Sequence, residues 1–234
     1  MKVKVELHVH SRLSACADAD NTVCNIANLS VMTGTQILAL SDHNTCLNFP
    51  AFEKVCKHIG LVPVPAIEVT TAEDIHVLCL FENFDAAKTL SDKIYDSLPK
   101  VEVNRKFYNP QLVLDEDDQA VYEEPYLLNL ATQFDVYSLA EEVNALGGIA
   151  IPAHIDRESN GILAVLGAIP DDLNVSCVEV SYECDESVYR EYAKKYNVIR
   201  SSDAHCLEDL CKNEFYLDVD RMSAKALIER LKKR

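Results

Sequence analysis

Val3-Lys4-Val5-Glu6-Leu7-His8-Val9-His10 decides how the rest of the chain reads. Residues 3–7 form a strand candidate. The two-residue period of a strand puts His8 and His10 on one face at its end, where two imidazoles can clasp one ion. A His-x-His pair alone is weak evidence, but the arrangement recurs down the chain. Asp42-His43 follows the apolar run 36–40, Glu68 follows 62–67, and His76 opens 76–81. His154 follows 148–152, and Asp203-Ala204-His205 follows 198–200. A charge at the end of a buried strand is costly unless it is paired or metal-bound. Ion pairing explains any one of these residues but not the series. Imidazole nitrogen with carboxylate oxygen is the ligand mixture preferred by zinc, manganese and iron(II). Ligands spread from His8 to His205 meet only if the fold gathers strand ends at one mouth. The remaining histidine, His58, ends a helical segment beside Lys57, where its charge complements the helix C-terminus.

Between these strands lie helical segments, so the pattern is a repeated strand–helix alternation. Gly34, Gly60 and Gly147 stand where helices stop before the next strand. Short runs of Val, Ile and Leu are what strands buried on both faces of a parallel sheet require. Repeated β–α units with right-handed crossovers give a doubly wound sheet or a closed barrel. Residues 100–125 break the rhythm. They read as a small inserted hairpin, either a solvated decoration or a lid over the strand ends. Tyr108, Tyr122 and Tyr126 around it are either packing residues or rings able to stack on a base. With no internal repeat or low-complexity linker, 1–234 is expected to be a single domain.

The 234 residues and 48% hydrophobic content suit one α/β domain with a substantial core. No run of 18 apolar residues or signal-peptide pattern is present, so neither a membrane span nor secretion is expected, and the chain is read as cytoplasmic. The nine cysteines are odd in number and form no Cys-x-x-Cys pair, which argues against a disulfide framework. Cys16, Cys46 and Cys206 follow the ligand motifs closely, and a thiol hydrolase at Cys206 is the weaker reading they leave open. The formal net charge of -16 argues against tracking a long nucleic acid. Bound divalent ions still admit a small anionic substrate.

Taken in order and spacing, His8-Val9-His10, Leu40-Ser41-Asp42-His43-Asn44-Thr45, Glu68, His76, His154 and Ser202-Asp203-Ala204-His205 resemble the polymerase and histidinol phosphatase (PHP) family of metal-dependent phosphoesterases. The resemblance covers nearly the whole chain. It implies a distorted seven-stranded β/α barrel, TIM-barrel-like, holding two to three divalent ions (manganese, iron or zinc) at the C-terminal mouth. On this likeness His8, His10, Glu68 and Asp203 would hold a first ion. Glu68 would bridge to a second, held also by His76 and His154. His43, His205 and a residue of the loop after His10 would hold a third. Family members place His or Asp five or six residues after the second histidine, where this chain has Ala15 and Cys16. Asp18 is preferred as the substitute, over Asp20. Asn44 stands where many members carry Asp. Amidohydrolases also open with His-x-His, but the late Asp203-Ala204-His205 and early Asp42-His43 favour the phosphoesterase.

The expected activity is hydrolysis of a small phosphomonoester or nucleotide by metal-activated hydroxide attacking in line. Either Asp203 or His205 would pass a proton to the leaving group. Arg157 and Arg12 are the candidates for binding phosphate, because a guanidinium offers paired donors. Arg200, within a strand, is less suited. The expected partner is a small phosphorylated substrate, with no long nucleic acid and no membrane. The alternatives are an exonuclease or oligonucleotide phosphodiesterase of the same family, and a non-catalytic metal-binding regulatory module.

Overall fold

The computed structural model describes residues 1–233. The chain runs β1 (Lys2–Glu6), α1 (Val23–Met32), β2 (Ile37–Leu40), α2 (Phe49–Ile59), β3 (Val62–Thr70) and β4 (His76–Leu80). It continues through α3 (Phe84–Ser97), β5 (Gln111–Leu114), β6 (Ala120–Glu124), α4 (Val136–Ala145), β7 (Ile149–Pro152) and α5 (Ile162–Leu166). Then come β8 (Cys177–Val180), α6 (Glu186–Tyr192), β9 (Asn197–Arg200), β10 (Tyr216–Asp218) and α7 (Ala224–Lys232). Local signals place the helices. Thr22, Asn83, Asp135 and Ser223 each accept a backbone N–H of the following first turn, satisfying a donor that the helix leaves free. Gly60 ends α2 at φ 84, a left-handed value that glycine adopts without a Cβ penalty. Phe49 and Phe52 of α2 are fully buried, each ring stabilising the fold by about 1.5–3 kcal/mol.

The strands form a curled six-stranded sheet in the order β10-β1-β2-β3-β4-β7, with β8 and β9 paired beside it. Two loop contacts curl the whole toward a barrel. Ile155, just after β7, donates its N–H to Glu179 O of β8 at 2.9 Å. Beyond β9, Ala204 bridges to Val9 beyond β1, donating to His8 O at 3.1 Å and accepting from His10 N at 3.0 Å. The expected α/β barrel-like fold is therefore observed, with differences in strand number and direction. β10 is an extra edge strand, antiparallel to β1. β4 is antiparallel to both β3 and β7, so the sheet is mixed. The cause is length: the turn 71–75 between β3 and β4 is far too short for the crossover that a parallel pair needs. β3 also runs further than the sequence suggests, so Glu68 lies within it rather than after it.

Both sheet faces are buried. Leu38, Leu40, Val77 and Cys79 pack in one apolar cluster, while Ile37, Ala39, Leu78 and Leu80 alternate into a second, which α7 joins through Leu227, Ile228 and Leu231. The expected hairpin is β5–β6. Its stem is tied to the loop after His10: Leu112 donates to Arg12 O at 3.0 Å, and Asn109 donates to Ala15 O and Ala17 O at 3.1 and 3.0 Å. Asn48 joins the two from beneath, donating to Leu112 O and Ser11 Oγ. All nine cysteines are free. Among the described residues no helix is long and apolar enough to cross a membrane.

Candidate metal centre

Glu68 stands at the centre of the mouth. Its Oε1 lies 2.8 Å from His76 Nδ1 and 3.2 Å from both His8 Nε2 and His154 Nε2. Its Oε2 lies 3.0 Å from His43 Nδ1 and 3.2 Å from His10 Nε2. One carboxylate thus meets five imidazoles contributed by four separate strand ends. Asp203 adds a second carboxylate, with Oδ1 3.1 Å from His10 Nε2 and 3.3 Å from His8 Nε2. His205 Nδ1 is bonded to the Asp203 carbonyl at 2.9 Å, and its ring centroid is 4.3 Å from that of His10. Glu68, His8, His10, His43, His154 and Asp203 are all buried, whereas His205 is a third exposed and faces the mouth. The expected set except Asp18 is brought together here.

The charges interlock. Burial alone would raise Glu68 and Asp203, but the imidazoles hold both well below the usual carboxylate range. Burial opposes charge on His10, yet hydrogen bonds to Asp203 and Glu68 and their charges raise it to about 9. His8 goes the same way, lifted well above 6.5 against burial by Glu179, Asp203 and Glu68. His43 and His205 are pushed down to about 4, by burial first and then by the charge on His10. Two imidazoliums therefore compensate the carboxylates, and cations from solution can replace their protons.

The donor atoms themselves fit divalent ions. Buried polar atoms normally find hydrogen-bond partners. Here His8 Nε2, His43 Nδ1 and Glu68 Oε2 have none of good geometry, although His43 Nδ1 lies 3.0 Å from Glu68 Oε2 and His8 Nε2 3.2 Å from Glu68 Oε1. Ring nitrogens and carboxylate oxygens that converge in this way are a ligand set once the imidazoles have given up their protons. Three groups have ligand atoms within 4.8 Å of one another: His8–His10–Glu68–Asp203, His43–Glu68–His76 and His10–His43–His205. The first is the set that the family resemblance implies for the first ion. Two of the residues are held in left-handed backbone conformations, His154 at φ 30 and Asp203 at φ 49. Such geometry costs about 1–3 kcal/mol per residue and clusters at functional sites. Gly161 braces the first of these turns, since a Cβ there would stand 2.6 Å from Arg157 O and 3.1 Å from His154 O.

Several sequence candidates lie elsewhere. Asp18 is exposed and belongs to none of the three groups, its backbone N–H bonding to His205 O at 2.9 Å. Cys16 lines the mouth instead. Arg12 is half-buried and does not line the mouth. Arg157 does, and its guanidinium is hydrogen-bonded to Asp203 Oδ2. His58 sits in the last turn of α2, as expected. Asp42 turns away from the ions' place to hold the loop, accepting from Ser11 N, Ser11 Oγ and Ser14 Oγ at 2.6–2.7 Å. Asn44, at φ 56, donates to Leu128 O and Leu130 O and accepts from Thr70 N. Aspartate could not donate to those two carbonyls, which explains the departure from the family pattern.

Two buried carboxylates escaped the sequence reading. Glu179 Oε2 accepts from His8 Nδ1 at 2.9 Å and from His154 N at 3.1 Å. That contact leaves the His8 Nε2 lone pair free for an ion. Glu6 accepts from His8 N, Ser202 N and Asn213 Nδ2, and burial raises it to about 7. The signal for Glu179 was present, a charge inside the apolar run Cys177-Val178-Glu179-Val180.

Residues 6–222 match the PHP domain model, and the chain belongs to that family. It is therefore a metal-dependent phosphoester hydrolase. A 5'-3' exoribonuclease of Haemophilus influenzae is 24% identical over 195 residues, covering 66% of this chain and 69% of that protein. The fold resembles the lesion-specific endonuclease Q of Pyrococcus furiosus, with TM-score 0.73, 17% identity and 99% of this chain covered. This chain spans only 56% of that enzyme's length. A Bifidobacterium adolescentis protein assigned as a metal-dependent phosphoesterase matches at TM-score 0.62 and 15% identity, over 86% of this chain and 87% of that one. Endonuclease Q is also known bound to a 27-mer duplex with an abasic lesion at its active site. These relatives overturn the expectation of no long nucleic acid. A net charge of -16 sums the whole surface, whereas binding is decided by the local field at the mouth, which bound cations reverse.

Proposed function

We propose that the chain is a metal-dependent phosphodiesterase that cleaves single-stranded polynucleotide at or near an end, with two to three divalent ions held by His8, His10, Glu68, Asp203, His76, His154, His43 and His205. The observation carrying this reading is the convergence of five imidazoles on Glu68 at the base of a mouth with a cavity of about 300 Å³. That volume is at the small end of ligand pockets, suited to one nucleotide unit and too narrow for a duplex. The exoribonuclease and endonuclease relatives support polynucleotide as the substrate class.

Divalent ions bound here supply activated water at neutral pH and positive charge for the phosphoryl oxygens. The protein's own groups supply the rest. Arg157, tethered to Asp203 and 40% exposed, presents its remaining N–H groups to phosphate. Neither proton-transfer candidate carries a proton at neutral pH, since Asp203 is held low and His205 lies at about 4. With its Nδ1 bonded to the Asp203 carbonyl, His205 would offer Nε2 to an ion and so act as a ligand rather than as a proton carrier. The test is manganese-dependent release of mononucleotides from an end-labelled single-stranded 20-mer, compared with the His8→Ala/His10→Ala variant. Mononucleotides from the wild type alone are expected. Metal-dependent turnover of an aryl phosphate beside an intact 20-mer would overturn the polynucleotide reading.

A further inference from the structure

The two rims of the mouth differ in chemistry. On one side a second cavity of about 560 Å³ shares Arg157, Asp203 and His205 with the mouth and is walled by Asp156, Glu158, Glu183 and Asp209. Lys212, the other cation there, is paired to Asp209 at 2.7 Å. A phosphate backbone leaving the centre on that side would run against uncompensated carboxylates.

The other rim is the inserted hairpin, whose approach reads Asn104-Arg105-Lys106-Phe107-Tyr108. Phe107 is 79% exposed, the most exposed aromatic side chain among the described residues. Lys106 is exposed, and neither its ammonium nor the Arg12 guanidinium forms an ion pair among the described residues. By contrast, Lys54, Lys88, Lys93 and Arg105 are all paired with carboxylates. The segment's position is set by Asn109, bonded to Ala15 O and Ala17 O on either side of Cys16, which lines the mouth. Two residues of chain reach at most about 7 Å, so Phe107 is held close to that lip. The turn is fixed by Phe107 N and Tyr108 N donating to Asn104 O at 3.0 and 3.1 Å.

An exposed ring beside an unpaired cation is the combination that single-stranded nucleic acid uses, a base stacking on the ring while its phosphate meets the cation. We infer that Lys106 and Phe107 form the subsite for the single strand adjoining the scissile phosphate, which therefore crosses the Cys16 lip onto the insert. This rests on the polynucleotide reading above and adds the direction in which the strand lies.

The test compares kcat/KM for a single-stranded 20-mer with that for the p-nitrophenyl ester of a mononucleotide, which has no further nucleotide to stack. In Lys106→Ala/Phe107→Ala the 20-mer-to-ester ratio is expected to fall by about five- to a hundredfold, the usual strength of one base–aromatic stack. The slope of log(kcat/KM) for the 20-mer against log(salt) should shrink by about 0.7 for the lost lysine. Glu183→Gln, a change of charge equal in size and opposite in sign on the other rim, should leave the ratio as it is. An unchanged ratio in the double variant, or a rise in Glu183→Gln as large as that fall, overturns the inference. Wild-type protein that turns over the ester but not the 20-mer instead overturns the functional reading beneath it.

Discussion

Replacing Glu179 should weaken metal binding although no ion would touch it. Its Oε2 takes two hydrogen bonds, from His8 Nδ1 at 2.9 Å and His154 N at 3.1 Å, while its Oε1 has no partner. Glu179→Gln can keep both bonds through its amide oxygen and place its amide nitrogen where Oε1 stood. It therefore removes little but the negative charge that makes His8 a stronger base. Glu179→Ala removes the charge and both bonds, freeing the His8 ring and stranding a buried His154 N–H. Losing such a partner typically costs 10–100-fold in metal affinity, about 1.4–2.7 kcal/mol. The glutamine variant should fall near the lower figure and the alanine variant near the upper. In the alanine variant the stranded N–H should cost about 1–3 kcal/mol of fold stability as well. Titration against a competing chelator reads the affinity, and thermal melting of the metal-free chains separates the stability loss. An alanine variant that binds the first ion as tightly as the wild type would refute the reasoning, because His8 would then need no buried partner to present Nε2.

Arg157→Ala should raise the Michaelis constant at least tenfold while elemental analysis finds the metal content intact, since the guanidinium contacts Asp203 but is no ligand. An unchanged constant removes Arg157 from phosphate binding. The pH dependence of metal uptake follows from the raised histidines. In the metal-free chain His10 titrates at about 9, so it holds a proton at pH 7.5 and must lose it to an ion, and the neighbouring carboxylates push His8 in the same direction. Affinity should therefore rise with pH up to about 9, and adding manganese in weak buffer at pH 7.5 should release protons. Affinity that stays flat from pH 6 to 9 would show that neither imidazole is a ligand.

Much of the centre was legible in the order of residues. Alternation along a strand is local, so His8 and His10 could be placed on one face without knowing the fold. The charges at Glu68 and Asp203 stood out because they interrupt or end apolar runs. What was not legible was who meets whom. The whole-chain charge argued against nucleic acid, where relatives are an exoribonuclease and an endonuclease, because an average over the surface says nothing of how charge divides locally, as where Asp156, Glu183 and Asp209 gather on one rim. Asp18 was favoured on residue type. The path of its loop, fixed by the bond from Asp18 N to His205 O and the Asn109 clamp, leaves Cys16 at the mouth instead.

By itself the sequence determined the strand–helix alternation, the burial of both sheet faces and the chemical types available at the strand ends. Each of these depends on neighbours two to four positions away. Only the tertiary structure decided that Glu68 is the hub of five imidazoles, that Glu179 fixes the His8 ring, and that Arg157 holds Asp203. Those contacts exist because Ala204 closes onto Val9 and Glu179 O meets Ile155. That closure joins residues far apart along the chain, which no local pattern encodes.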